Sequence, residues 1–349
     1  MLQGKKIVLG VSGSVAAYKA VYLTRLLTDA NATVWPVLTA GASRFVGPLS
    51  FTVLSRNRCV TDLWNASGGG EISHVELAHT ADAVVIAPAT ADLLARLAAG
   101  RADDPLCALA LATRAPRLLA PAMETHMWEH PATQAHLHAL EARGWRVAAP
   151  APGALASGRQ GTGRLADPEE LLEAVTGLLR PQDLLGETVL VTAGPTQERL
   201  DPARFLSNPS TGKMGYAIAR EARRRGAHVE LISGPTALPA PPGVVLTRIL
   251  STDELLAACL AKLGPASALV MAAAPADFRP AAPLAHKQKK EGAPLTLALE
   301  RTPDVLTTLK ARQGRRVVVG FAAETEDLLA HGEDKLRRKD CDLLVANRI

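Results

Sequence analysis

Short apolar runs that do not alternate with polar residues recur along this chain, at residues 7–11, 34–38, 83–87, 117–120, 188–192, 229–232, 268–271, 317–320 and 343–346. A strand that is apolar at every position must be covered on both faces, which is the situation of a parallel sheet between two layers of helix. Stretches of helical periodicity lie between the runs, at residues 16–29, 91–98, 216–225, 253–263 and 326–339, as the crossovers of such a sheet require. With 349 residues the chain exceeds one ordinary α/β core. The pattern therefore predicts two Rossmann-like, doubly wound α/β domains with mainly parallel sheets. Their ligands are expected beyond the carboxyl ends of the strands.

The boundary is legible as well. Residues 149–168 are rich in Gly and Pro and read as a flap (about 150–166), a helix over 169–179 follows, and Arg180-Pro181-Gln182-Asp183 reads as a linker. A fresh strand begins near Glu187, so the domains are expected at 1–180 and 181–349. The second half opens as the first does, with strand, glycine-bearing turn and helix, but without a clear sequence repeat.

Composition narrows the function classes. The formal charge of +5 is modest, and aromatics make up 3%. Small anions suit this balance better than nucleic acid, whose binders interleave basic patches with stacking rings. Cys59, Cys107, Cys259 and Cys341 lie far apart without C-x-x-C spacing, so buried thiols in a reducing compartment are expected rather than zinc ligands or disulfides. No charged-then-apolar leader opens the chain, and no apolar run approaches the ~18–20 residues that span a bilayer. A soluble cytoplasmic protein with neither a nucleic-acid nor a membrane partner is expected.

In the first half Val11-Ser12-Gly13-Ser14 follows a strand and opens a helix. Amides and two hydroxyls at such a start suit a phosphate, although a tight turn needs glycine anyway. Thr39-Ala40-Gly41-Ala42-Ser43 and Ala87-Pro88-Ala89-Thr90-Ala91-Asp92 place small and hydroxylated residues at two further strand ends. Thr90 and Asp92 also read as ordinary helix caps. Pro121-Ala122-Met123 ends another strand, and the convergence of three ends favours a ligand rim.

Gly-Val-Ser-Gly-Ser-Val-Ala-Ala-Tyr-Lys (10–19), Pro-Leu-Ser-Phe (48–51), Ser-His-Val-Glu-Leu (73–77), Ala-Pro-Ala-Thr-Ala-Asp (87–92) and Pro-Ala-Met (121–123) closely resemble the flavin-dependent cysteine decarboxylase family. Within it they resemble the decarboxylase half of bifunctional phosphopantothenoylcysteine decarboxylase/phosphopantothenate–cysteine ligases. The resemblance implies FMN at a subunit interface of a trimer. It would be held by Gly13, Ser14, Thr39, Ser50, the turn at Ala89 and Thr90, and Met123, with His74 as the catalytic histidine. The chemistry is coherent: oxidation of the substrate thiol to a thioaldehyde supplies the electron sink for decarboxylation, and a neutral imidazole accepts the proton.

Two positions depart from the family pattern. Glu124 stands where Pro-x-Met-Asn has an asparagine that grips the substrate carboxylate, and an ionised Glu there repels it. Ser157 stands in Ala-Ser-Gly-Arg-Gln-Gly-Thr-Gly-Arg (156–164) where the flap carries a proton-donating cysteine. A hydroxyl is a far weaker acid than a thiol, so decarboxylation is expected to be slow, altered or lost while FMN binding persists.

In the second half Thr192-Ala193-Gly194-Pro195-Thr196 ends a strand, and Ser207-Asn208-Pro209-Ser210-Thr211-Gly212-Lys213-Met214-Gly215 leads into a helix. Ser210, Thr211, Gly212 and Lys213 offer amides, hydroxyls and a cation to a phosphate, yet the G-x-x-x-x-G-K-[ST] spacing is absent. Asp277, Lys287 with Lys289 and Lys290, Arg301 to Asp304, Gly320-Phe321 and the pair Lys335/Lys339 follow. Taken singly these read as solvated charges; gathered at one sheet end they suit a triphosphate.

This run resembles the ligase half of the same bifunctional family. The resemblance implies that 4′-phosphopantothenate is activated by CTP to an acyl-cytidylate, which the cysteine amine then attacks to give phosphopantothenoylcysteine. Carried over by position, Asn208 stabilises the acyl-cytidylate and Lys287 assists its formation. Asp277, Pro303, Asp304, Val305, Phe321, Lys335 and Lys339 bind CTP, with Asp277 on Mg²⁺. The ligase site would lie across a dimer interface, and trimers combined with dimers would close a homo-oligomeric dodecamer. Family members run some tens of residues beyond Asn347, so a chain ending at Ile349 is expected to be C-terminally shortened. An alternative expectation is an active ligase fused to a non-catalytic FMN-binding scaffold. An NAD-type dehydrogenase is disfavoured, because no G-x-G-x-x-G with a following acidic residue occurs.

Overall fold

The computed structural model describes residues 2–63, 74–287, 296–312 and 316–348. The chain divides into two compact units, Met1–Arg180 and Pro181–Ile349. Ser73, Lys289 and Lys290 fall outside the described residues.

The first unit runs β1 (Lys6–Val11), α1 (Ala17–Asp29), β2 (Thr33–Leu38), α2 (Pro48–Ser55), α3 (His74–Thr80) and β3 (Ala83–Ala89). It continues with α4 (Ala91–Ala98), α5 (Pro105–Ala112), β4 (Arg117–Pro121), α6 (Thr125–Glu129), α7 (Pro131–Ala142) and β5 (Trp145–Val147). A hairpin of β6 (Ala151–Ala154) and β7 (Gln160–Arg164) and the helix α8 (Pro168–Leu178) complete it. Its sheet has the order β2-β1-β3-β4-β5, and every pairing is parallel. Alternate side chains of β1 serve opposite layers. Ile7, Leu9 and Val11 pack with Leu23, Leu27 and Val175 on one face, whereas Val8 joins Leu94, Leu106 and Leu109 on the other. Each such buried Leu or Val contributes about 1.5–3 kcal/mol relative to exposure.

The second unit opens with β8 (Thr188–Ala193), the hairpin β9 (Gln197–Asp201) and β10 (Arg204–Ser207), α9 (Lys213–Arg224), β11 (His228–Ser233) and β12 (Val245–Arg248). It then forms α10 (Thr252–Lys262), β13 (Ala268–Met271), β14 (Phe278–Pro280), β15 (Leu299–Arg301), α11 (Val305–Lys310), β16 (Val317–Glu324), α12 (Leu328–Lys339) and β17 (Leu343–Arg348). The main sheet has the order β12-β11-β8-β13-β16-β17, again parallel throughout. All nine apolar runs became strands, and the expected doubly wound fold is present twice.

The differences from expectation are local. The expected helix over 169–179 begins one residue earlier, because Asp167 and Glu170 close a capping box and Pro168 takes the first helical position. The helix expected from Tyr216 starts at Lys213, behind Gly212 in the left-handed region. Asp92 is not a cap: Thr90 is, accepting from the Leu93 amide, with Asp92 inside the first turn. The Gly- and Pro-rich flap carries the antiparallel hairpin β6–β7, which strand periodicity did not signal because six of its nine strand residues lack an apolar side chain.

Close backbone approach sets the turn geometry of the second unit. A methyl group on Gly234, just after β11, would lie 1.7 Å from the Pro195 carbonyl oxygen, a separation no side chain tolerates. Gly234→Ala is therefore expected to lower the melting temperature of the second unit by several degrees, a cost of about 2 kcal/mol or more. Calorimetry with two resolved transitions checks this, and the first unit's transition should stay in place.

Candidate active sites

In the first unit four turns converge at the carboxyl ends of β1, β2, β3 and β4. The order β2-β1-β3 makes β1 and β3 the point where the winding reverses, so the loops after these strands part and leave a crevice. A cleft of about 790 Å³ opens there, lined by Gly13, Ser14, Thr39, Gly41, Thr90 and Met123 among others. Ser12 lies beneath it, buried, donating to the Pro88 carbonyl at 2.8 Å and accepting from the Thr90 amide at 2.9 Å. This hydroxyl locks the two parting loops together. Ala89 is fully buried and contributes backbone only, accepting from the Ala122 amide.

The same cleft meets a second one of about 500 Å³, which shares Ser14, Ala122 and Met123 and adds Tyr18, Lys19, Glu124, Ser157 and Arg164. The flap hairpin forms its wall. The Met123 amide donates to the Gly163 carbonyl, and a Cβ on Gly163, at φ +155°, would lie 2.2 Å from the Met123 carbonyl oxygen. Glu124 does not project freely. It caps α6, its Oε2 accepting from the His126 amide at 2.7 Å.

The size of the larger cleft lies within the range of about 300–1,000 Å³ usual for cofactors, and its rim of amides, hydroxyls and the Met123 thioether suits a phosphorylated planar ring. Ser50 is exposed on α2, and His74 is half-buried at the start of α3. Neither lines the cleft of its own chain. Arg96 and Arg101, at the cleft edge, were not singled out from sequence. They pair with Asp103 and Asp104, so the grouping of Asp103, Asp104 and Cys107 is already neutralised by cations. Cys59, Cys107 and Cys259 are buried, and burial pushes each thiol up to about 12.

In the second unit a cleft of about 510 Å³ lies beyond β13 and β16. It brings together Asp277, Arg301, Pro303, Asp304, Val305, Phe321, Lys335 and Lys339, and adds Arg338, whose position sequence periodicity does not reveal. The loop after β13 is strapped to the turn after β8. The Ala274 amide donates to Gly194, the Ala273 amide to Thr192 Oγ1 at 3.1 Å, and the Ala276 amide to Thr196 Oγ1 at 2.9 Å. The Thr-Ala-Gly-Pro-Thr hydroxyls thus hold protein backbone. Asn208 joins the strap, its Nδ2 donating to Pro275 at 2.9 Å. Ser210, Thr211, Gly212 and Lys213 stand at the start of α9, where Gly212 meets Gly194 and Thr236. They belong to the β8 side of the same sheet end and do not line the cleft. Lys287 is exposed and also lies outside the lining residues.

Asp304 caps α11 through the Thr307 amide at 3.1 Å and receives the Lys339 ammonium. Burial opposes its ionisation, but the bonds from Lys339 and Thr307 outweigh that and hold its carboxyl below the usual range. Asp277 and Lys335 make no ion pair among the described residues. One such carboxylate suits Mg²⁺, which takes one or two protein ligands and completes its shell with phosphates and water.

Sheet orders of this kind, with phosphate-suited turns at both switch points, fit a flavoprotein domain joined to a second doubly wound α/β domain. Residues 1–180 match the Flavoprotein family, and residues 184–349 match the DNA/pantothenate metabolism flavoprotein C-terminal domain. The chain is 48% identical over 363 residues to the coenzyme A biosynthesis bifunctional protein CoaBC of Mycobacterium tuberculosis (strain ATCC 25618 / H37Rv), covering 99% of this chain and 86% of that protein. It is 41% identical over 353 residues to the protein of the same name from Bacillus subtilis (strain 168), covering 100% and 87%. The chain belongs to this family of bifunctional coenzyme A biosynthesis proteins. Among solved structures, the C-terminal domain of a CoaBC protein is 41% identical, with a TM-score of 0.43, covering 47% of this chain and 78% of that one. The FMN-dependent cysteine decarboxylase SpaF is 33% identical, with a TM-score of 0.44, covering 49% and 95%.

The Asp304–Lys339 pair has a pH signature. Because the folded-state pKa is depressed, its contribution to stability is present above the unfolded carboxyl value of about 4. It is lost as pH falls through the folded value. Lys339→Ala should therefore lower the urea midpoint of the second unit more at pH 7 than at pH 3. Equal losses at both pH values would contradict the assignment.

Proposed function

We propose that the protein joins 4′-phosphopantothenate to cysteine at the expense of CTP and then decarboxylates the product to 4′-phosphopantetheine, in the cytoplasm. The observation that carries this reading is the second cleft, where Asp277, the turn at Pro303 to Val305, Phe321 and the i, i+4 pair Lys335/Lys339 gather from four distant segments. Acyl-nucleotide chemistry needs little from a protein beyond alignment and charge stabilisation. Lys335 and Lys339 face the triphosphate, and Asp277 holds its Mg²⁺. Asn208 sits where the loop after β13 meets the turn after β8, between the nucleotide cleft and the amides of α9 that receive the phosphate of 4′-phosphopantothenate. Lys287 is assigned to acyl-cytidylate formation from the resemblance, reaching the site from a neighbouring chain.

In the first unit FMN, when bound, supplies the two-electron oxidation of the substrate thiol. Gly13, Ser14, Thr39, Ala89, Thr90 and Met123 hold it. His74 and Ser50 serve the cleft of a neighbouring copy, and exposed Leu49 and Val53 on α2 with Val75 on α3 support association through that surface. The imidazole of His74 moves the proton, and the flap closes the cleft from water. Trimeric flavin units and dimeric ligase units then build a dodecamer. The non-catalytic scaffold is not favoured, because the family is bifunctional. With Ser157 in place of a thiol, the final reductive protonation is the slow step.

Separate assays test the two halves. Asn208→Ala is expected to reduce CTP-dependent pyrophosphate release on the order of a hundredfold while the flavin absorption spectrum is unchanged. Ser157→Cys is expected to accelerate formation of 4′-phosphopantetheine from supplied phosphopantothenoylcysteine. An unchanged or lower rate would remove Ser157 from the proton path.

A further inference from the structure

The cleft under the flap holds two cations in different states. The Lys19 side chain is 13% exposed and fully engaged, donating to the Leu165 carbonyl at 3.1 Å and to Asp167 Oδ1 at 2.8 Å. Arg164, the last residue of β7, reaches the same carboxylate only at 3.3 Å through Nη2. Its side chain is 41% exposed, whereas its Nε is covered beside Gly153 and has no hydrogen-bond partner among the described residues. A buried guanidinium N–H without an acceptor costs free energy unless a ligand supplies one.

The cleft that Arg164 lines is also lined by Glu124, whose carboxylate is spent on the first turn of α6 and which offers a substrate carboxylate nothing but repulsion. The backbone fixes the two close together. Gly163 bonds Met123 and permits no side chain between β7 and the segment that carries Glu124. An anion in this cleft therefore meets one donor that is charged, forked and incompletely satisfied.

We propose that Arg164 takes the cysteinyl carboxylate of phosphopantothenoylcysteine, and so replaces the amide that Glu124 lacks. This rests on the decarboxylase reading above. Arg164 acts as a positioning residue, and its fork geometry matches a carboxylate through two parallel N–H groups. The interaction belongs to the ground state: the carboxylate leaves as neutral carbon dioxide, so the attraction fades toward the transition state. Arg164 therefore contributes to KM and not to the chemical step.

Substrate and product differ by this one carboxylate, which supplies the test. In full-length, FMN-loaded protein, Arg164→Gln is expected to raise KM for phosphopantothenoylcysteine on the order of tenfold to a hundredfold, as for a lost charge-assisted bond. The inhibition constant of 4′-phosphopantetheine should stay within about twofold, and kcat should be unchanged or higher. Arg164→Lys, which keeps the charge but not the fork, should give a smaller rise. Equal weakening of both ligands, or a fall in kcat at constant KM, overturns the proposal and leaves Arg164 a structural partner of Asp167. Absence of carbon dioxide release by the unsubstituted protein sinks the decarboxylase reading instead. The two ligands, then both stable, are compared by calorimetric titration with the same expected selectivity.

Discussion

A parallel sheet cannot be wound in one direction from edge to edge and still bury both faces; the chain must start in the middle, wind outward, return and wind the other way. At the return two neighbouring strands send their following loops to opposite faces, and a crevice opens between them. In this protein the reversal falls between β1 and β3 in one unit and between β8 and β13 in the other. The first cleft is built from the loops that part between β1 and β3, whereas the second lies one strand further on, beyond β13 and β16, and shares only the loop after β13 with the reversal. What differs is how the loops are tied beneath the crevice. Ser12 ties them in the first unit, and the Thr192 and Thr196 hydroxyls with the Gly194 carbonyl tie them in the second.

These ties explain which features of the sequence were readable. Strands, domain division and the small hydroxylated turn residues follow from burial and backbone geometry, and both are written locally. The cleft-lining set Asp277, Asp304, Phe321, Lys335 and Lys339 was legible only through resemblance, because no local rule says that a lysine on α12 will face a turn before α11. Arg338 was missed for the same reason, since an arginine on a basic helix looks like a solvated charge. The roles of Thr192 and Thr196 were legible in kind but not in target: hydroxyls at a strand end suggest a ligand, and here they satisfy protein amides. His74 and Ser50 mark the limit of what one chain positions, because neither lines the cleft of its own copy.

One lysine at each of two clefts arrives already paired. Lys339 holds Asp304, and Lys19 holds Asp167. Each carboxylate is kept ionised by its partner, so each pair is a fixed dipole at a rim and not a loose lysine that must be ordered when a ligand binds. Fixing a lysine costs about 1.5–2 kcal/mol of side-chain entropy. Folding meets that cost in advance, and the ligand then competes only with one carboxylate.

On the proposed reading, a nucleoside triphosphate carrying several negative charges would outcompete a single aspartate for Lys339 and leave Asp304 to its second role as the cap of α11. A lone substrate carboxylate has no such advantage over Asp167, and Lys19 would yield it nothing. That asymmetry places the burden of recognising a monoanionic group on a donor its neighbours have not saturated. In the flap cleft Arg164 meets that condition, with its side chain 41% exposed and its Nε without a partner among the described residues, and on the proposed reading the hairpin that carries it is part of the binding surface and not only a cover.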